Sequence, residues 1–223
     1  MADDEKPEQH GSGAEANEQG CPVKMDGGRR CGRPIYNAPA GVDEKPVCLM
    51  HSRDPNKSDQ QFQKESERVL KDAKDGIADF THFVFPSANY SGRTFEARCI
   101  FIYATFTQRA NFRVAKFTQA ADFSHATFTQ GANFTRAMFT QRADFIYATF
   151  TQGADFSFAK FTQPGDFRWA TFEEGAEFRK TVFRDDDTRE PGPVFSLTRF
   201  EKPEAVVFYD TYLGQALFHN CDV

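Results

Sequence analysis

From Phe95 to Phe183 a phenylalanine recurs at alternating steps of six and five residues without a slip, at 95, 101, 106, 112, 117, 123 and onward. The series extends back through Tyr90 and Phe85 to Phe80. A mixed globular core does not ask for one residue type at so strict a period. A stack of equivalent units does, because each unit repeats the same inward contact. Of the 26 Phe, 23 fall on these centres and only Phe62, Phe83 and Phe158 do not, while the chain has just five Leu. The core must therefore be built from Phe used repetitively.

Two half-units alternate, visible in ADFSH and ATFTQG across residues 121–131. A small residue, usually Ala, stands two positions before each Phe. Ahead of alternate centres stand Thr105, Thr127, Thr149 and Thr171, and interleaved with them Lys116, Met138, Lys160 and Val182. A coil of about 11 residues would stack both sets on one face. A coil of about 22 residues with four inward Phe separates them. The recurrence of FIYATFTQ from 101 at 145, two such coils later, agrees. The expectation is a four-sided all-β solenoid from Ala78 to Val223. Its Phe and Ala point inward and its rungs lie about 4.8 Å apart. RDDDTREPGP (184–193) reads as a surface loop replacing one side, with Phe200 resuming the register one coil after Phe178.

The front of the chain is different. Residues 1–20 carry six acids against one base and neither aromatic nor β-branched residues, so they read as a disordered acidic tail. That tail accounts for the whole net charge of -5. Residues 21–57 are Gly/Pro-rich and hold Cys21, Cys31, Cys48 and His51. Three thiolates and an imidazole make a closed tetrahedral set for structural Zn²⁺, and a segment this small needs a staple to fold. Free or redox thiols are the alternative. Residues 58–76 read as an amphipathic helix, with Ser58 and Gln61 fitting a capping box and Gly76 supplying the stop. A solenoid leaves an apolar coil open at its end, and covering it is the helix's simplest task; recruiting a partner is the other. Cys99 and Cys221 stand where Ala usually stands and read as small inward residues.

No catalytic constellation emerges, and the chain is expected not to be an enzyme. Outward positions such as Asp122 and His125 are filled by other residue types in other layers. The Asp or Asn before the Phe is better explained by hydrogen bonding at a coil corner. There is no phosphate-cradling Gly loop or dinucleotide fingerprint. The Thr-Phe-Thr series at 105–107, 127–129 and 149–151 would project paired hydroxyls on a flat face, but Glu173 breaks it. Tyr103, Tyr147, Phe158 and Trp169 form an exposed set, read either as a partner patch or as corner packing. The first residues show no secretory signal and no run is long enough to span a membrane, so a cytoplasmic setting without membrane contact is expected.

ADFSH, ANFTR, ADFSF and ALFHN resemble pentapeptide repeats, a family whose fold is a right-handed quadrilateral parallel β-helix. The resemblance covers residues 78–223. The leader, Cys…CGRP…CLMH before a helix and DFTHFVFP, is similar to that of some bacterial members. The resemblance implies a non-enzymatic interaction or scaffold protein with a protein partner. Some members regulate or protect DNA gyrase by mimicking duplex DNA. That mimicry needs a strongly acidic solenoid, whereas residues 91–180 carry a net charge of +3, so neither mimicry nor nucleic-acid binding is expected. Gyrase-protecting members pair through the C-terminal end. With Phe208, Leu213, Phe218 and Val223 in a last coil that nothing follows, a homodimer through that end is expected here too.

Overall fold

The structure, a computed structural model, describes residues 20–183, 192–213 and 216–221. The acidic tail before Gly20, most of the expected loop at 184–193, and the core position at Val223 lie outside those residues. The body is a four-sided stack of parallel strands, with sheets of five, six, six and five strands. The first face carries Ile77–Asp79, Arg98–Ile100, Ala121–Asp122, Ala143–Asp144 and Gly165–Asp166. The second runs from Val84–Phe85 through the four Thr-Phe strands to Arg199–Phe200. The third runs from Ala88–Asn89 to Val206–Val207, and the fourth from Thr94–Phe95 to Val182–Phe183. In the middle coils each strand pairs with the strand one four-sided coil later, Phe106 with Phe128 and Phe128 with Phe150. The four-sided reading of the interleaved Thr and Lys series is therefore correct.

Each centre from Phe80 to Phe195 is buried, and the rings form columns. Within a column they stack nearly parallel, as Phe112 on Phe134 at 5.0 Å and 3°. Rings of the first and third faces meet edge to face, as Phe123 against Phe134 at 5.7 Å and 83°. Both are geometries that aromatic quadrupoles favour. Alanine two positions earlier leaves room for them, and Cys99 takes that place fully buried. Gly165 does so where an added Cβ would press on Phe161 and Phe167 at 3.1–3.3 Å.

Two kinds of corner explain the alternating steps. Strands of the first and third faces leave by a tight turn, closed for example by Ala104 N donating to Phe101 O at 3.0 Å. Its third residue is left-handed: Tyr103, Val114, His125, Arg136, Tyr147, Phe158 and Trp169 all lie between φ 56 and 61°. Type II turns usually reserve that place for Gly, and only Gly92 supplies it here. The Asp or Asn before the Phe steadies the turn, with Asp122 Oδ1 accepting from Ser124 N at 2.9 Å and Asn133 Oδ1 from Thr135 N at 2.9 Å. The second and fourth faces leave by a corner one residue longer. There the Thr after the Phe donates its hydroxyl to the preceding coil, Thr129 Oγ1 to Phe106 O at 2.9 Å and Thr140 Oγ1 to Phe117 O at 3.1 Å. The second Thr of each Thr-Phe-Thr unit thus serves the backbone rather than projecting a free hydroxyl.

Two expectations need correction. Phe200 stacks on Phe172 at 5.3 Å, not on Phe178, whose column continues with Phe208 at 4.8 Å. Phe195 follows Phe183 as the next centre and stacks on Phe167 at 4.9 Å. The acidic run is therefore an insertion between sides, not a replacement of one. Thr149 pairs with Thr171, but Thr171 pairs with the more distant Arg199, so the fit of Phe200 to a period counted from Phe178 is coincidental. Second, the helix spans Asp59–Ala73 and stops at Lys74, which takes the left-handed φ of 52°, rather than at Gly76. At its start Ser58 Oγ accepts from Gln61 N at 3.3 Å, one half of the expected capping box.

The helix does cover the first coil. Phe62 is buried edge-on against Phe85 at 5.1 Å and Phe83 at 6.3 Å. Phe83 occupies the Ala position of the second face and fills the space above the column. At the other end Cys221 is half-buried and Phe218, stacked on Phe195, keeps 44% of its surface exposed.

Candidate metal centre

Residues 20–57 lie over the same end of the solenoid. A short hairpin, with Lys24 bridged antiparallel to Arg30, turns through Gly27 and Gly28 at φ 72 and 80°. Cys21 N donates to Arg33 O and Cys31 N to Val23 O, both at 2.8 Å, which sets the two cysteines side by side. Gly20 cannot be replaced cheaply, since a Cβ there would lie 2.5 Å from Gly32 O. The other pair comes from a single tight turn in which His51 N donates to Cys48 O at 3.0 Å.

The four side chains converge, with every ligand atom within 4.8 Å of every other. Cys31 Sγ lies 3.8 Å from Cys48 Sγ, and His51 Nδ1 lies 3.4 Å from Cys21 Sγ and 3.2 Å from Cys48 Sγ. A tetrahedral ion with bonds of about 2.3 Å to sulfur needs sulfur–sulfur edges of about 3.8 Å, so the set fits such an ion. His51 Nε2 lies 3.1 Å from Thr81 O, which can only accept, so Nε2 carries the hydrogen and Nδ1 is left as the donor to a metal. Because Thr81 belongs to the first corner of the solenoid, this bond ties the cluster to the repeat.

The surroundings suit thiolates. Arg33 Nη1 donates to Cys31 Sγ at 3.2 Å, and its guanidinium lies over the Phe83 ring at 5.2 Å. His51 meets that ring edge-on at 5.2 Å. The Cys31 thiol is held well below its usual range by the sulfurs of Cys21 and Cys48, while the same contacts with Cys21 and Cys31 push Cys48 up. Burial alone would lower His51, but the nearby sulfurs of Cys21 and Cys31 raise it to about 9. Such a cluster is a group of donors competing for protons, and a cation would relieve it. Cys21, Cys48 and His51 are buried; Cys31 is half-buried and borders a groove against the helix lined by Arg29, Ile35, Arg68 and Ile77.

Sequence reasoning missed Lys57. It is buried, and Nζ donates to Leu49 O, Ser52 O and Val84 O at 3.0, 2.7 and 2.5 Å. It also sits over the Phe62 ring at 4.8 Å, so one ammonium joins the leader, the helix and the second face. Burial pushes its pKa down to about 7. Nothing in its sequence neighbourhood marks it except that it precedes the helix cap.

The exposed aromatic set divides. Tyr103, Tyr147 and Trp169 share one corner with His82 and His125 in a stacked ladder, at 4.9, 4.5, 4.8 and 5.5 Å between successive rings from His82 to Trp169. Phe158 lies on the opposite corner, between Arg136 at 5.5 Å and Lys180 at 5.9 Å. Asp122 and His125 thus have structural roles, one in a turn and one in the ladder. Among the described residues no helix is long and apolar enough to cross a membrane.

Residues 101–149 and 145–189 match the family model described as Pentapeptide repeats (9 copies). No curated protein and no solved structure matches the chain. The matched segment coincides with the most regular coils, where each Phe stacks on its counterpart in the next coil around four faces. Over residues 101–189 the solenoid is thus similar to pentapeptide repeats.

Proposed function

We propose that this protein is a non-enzymatic scaffold that presents a rigid solenoid surface to a protein partner, with Zn²⁺ held by Cys21, Cys31, Cys48 and His51. The observation that carries the metal reading is the convergence of four donors with His51 oriented by a carbonyl of the first coil. Four protein donors fill a tetrahedral ion and leave no position for a reactive water, so the ion is structural. Its role is to fasten the leader over Phe83 and complete the N-terminal cover of the repeat. Purified protein should contain about one zinc per chain by elemental analysis, falling to none in Cys48→Ser. Protein purified without metal under zinc-replete expression would overturn the reading.

The partner surface is the ladder corner, where Tyr103, Tyr147 and Trp169 each expose nearly half their surface on a backbone hydrogen-bonded to the next coil. Affinity capture with Tyr147→Ser/Trp169→Ser should lose partners that the unaltered protein retains. Equal capture by both would remove the ladder from the interface. Homodimerisation through the C-terminal end belongs to the same proposal and is supported by the exposure of Tyr212, Leu217 and Phe218 there. Light scattering should report a dimer that Phe218→Asp dissociates; a monomer at high concentration would end it.

A further inference from the structure

The corner between the third and fourth faces carries a pattern that neither the core nor the metal centre uses. From Val114 to Val182 two outward positions on each rung hold one cation and one apolar residue, and the two exchange places from rung to rung. Val114 stands with Lys116, Arg136 with Met138, and Phe158 with Lys160. Lys180 with Val182 continues the alternation. Val114, Met138 and Phe158 are 43, 37 and 48% exposed, and no acid occupies either position between residues 92 and 182. Among the described residues Arg113, Lys116 and Arg136 make no ion pair. By contrast the first face stacks Asp122, Asp144 and Asp166, with Arg142 and Arg168 neutralising the last two.

We propose that this corner docks an extended acidic segment of a partner protein, its acids against Lys116 and Arg136 and its apolar side chains against Val114, Met138 and the exposed edge of Phe158. Charge complementarity selects acids, and the spacing selects an extended chain. An extended chain of the polyproline-II kind returns every third side chain to the same face after about 9.3 Å, and two rungs span about 9.6 Å, so an acidic–apolar triplet stays in register along the axis. A lipid surface fits less well. The apolar residues alternate diagonally with cations, and both faces of the Phe158 ring are covered by Arg136 and Lys180, which leaves no apolar cluster to insert. The same cover leaves no free ring face for a nucleobase. The proposal rests on reading the solenoid as a scaffold and is independent of the metal.

The test is fluorescence anisotropy of the full-length, metal-loaded protein with a labelled peptide of repeated Glu-Glu-Phe triplets at near-physiological salt. Binding is expected, weakening as salt rises. Lys116→Glu/Arg136→Glu should reduce affinity at least about ten-fold, as loss of two charge contacts implies. Arg98→Glu/Arg109→Glu, with the same change in net charge elsewhere, should leave it unchanged. Equal loss in both variants, unchanged binding in the first, or equal binding of a Gln-Gln-Phe peptide would each overturn the proposal. So would competition of the peptide by phosphatidylserine vesicles or by single-stranded DNA in preference to a second acidic peptide. If the peptide fails while partner capture through the ladder corner persists, the docking strip is wrong and the scaffold reading stands.

Discussion

The solenoid and the leader solve opposite problems in the same chain. From Phe95 to Phe183 each contact is made many times over, so removing one ring leaves neighbours above and below in the same column. In residues 20–57 each contact is made once: Cys21, Cys31, Cys48 and His51 meet from separated places in the sequence, and His51 and Lys57 bond the first coil. Repetition yields stability that sums over layers. Convergence yields a structure that depends on a few long-range contacts, and there a metal ion has most to contribute.

That contrast implies graded effects. Phe134→Ala in the middle of the stack should cost about 3–5 kcal/mol in chemical denaturation, from lost burial and a cavity that rigid neighbouring coils cannot close. A cost below about 1 kcal/mol would mean that the columns relax freely. Lys57→Met should cost about 2–3 kcal/mol, because three carbonyls lose their donor. Its signature should be confined to the leader: faster amide exchange in residues 47–57, with the coils beyond Phe95 unaffected. Thr129→Val should cost about 1 kcal/mol through loss of its bond to Phe106 O, so this outward side chain is not neutral.

Two smaller effects run the other way. Val114 is β-branched at φ 60°, and Val114→Asn should stabilise by about 0.5–1 kcal/mol in thermal unfolding. Asp144 is raised above the usual carboxylate range, first by burial and then by Asp122 and Asp166, against the pull of Arg142. A folded-state pKa above the unfolded one means that the ionised form is penalised at neutral pH. The penalty shrinks as pH falls through the folded value toward the unfolded one. Asp144→Asn should therefore stabilise at pH 7 by less than about 1 kcal/mol, with the gain shrinking as pH falls and vanishing about a unit below the unfolded value of about 3.9. A gain that is the same at pH 7 and at about pH 3 would assign the effect to something other than charge.

What can be read from the sequence follows the same division. The inward Phe and Ala are readable because the same signal is written on every rung, and the doubling to four faces because the Thr and Lys series break the simpler period. The Cys/His cluster is readable by type, since a Cys-x-x-His bite beside two further Cys is suited to one tetrahedral ion. Lys57 and Phe83 are not, because each makes a contact used once and set by the junction of leader and coil. The column of Phe200 is hidden because an insertion resets the count, and only backbone pairing shows where the sides resume. The ladder is half-readable: Tyr103, Tyr147 and Trp169 share a column, but His82 and His125 complete it and Phe158 does not belong.

Hydrogen exchange followed by mass spectrometry, on the full-length protein with and without a zinc chelator, addresses the division itself. Chelation should release one metal ion per chain and abolish amide protection across residues 20–57, while residues 101–183 keep theirs. Loss of protection throughout the coils, or a leader equally protected with no metal to release, would contradict it.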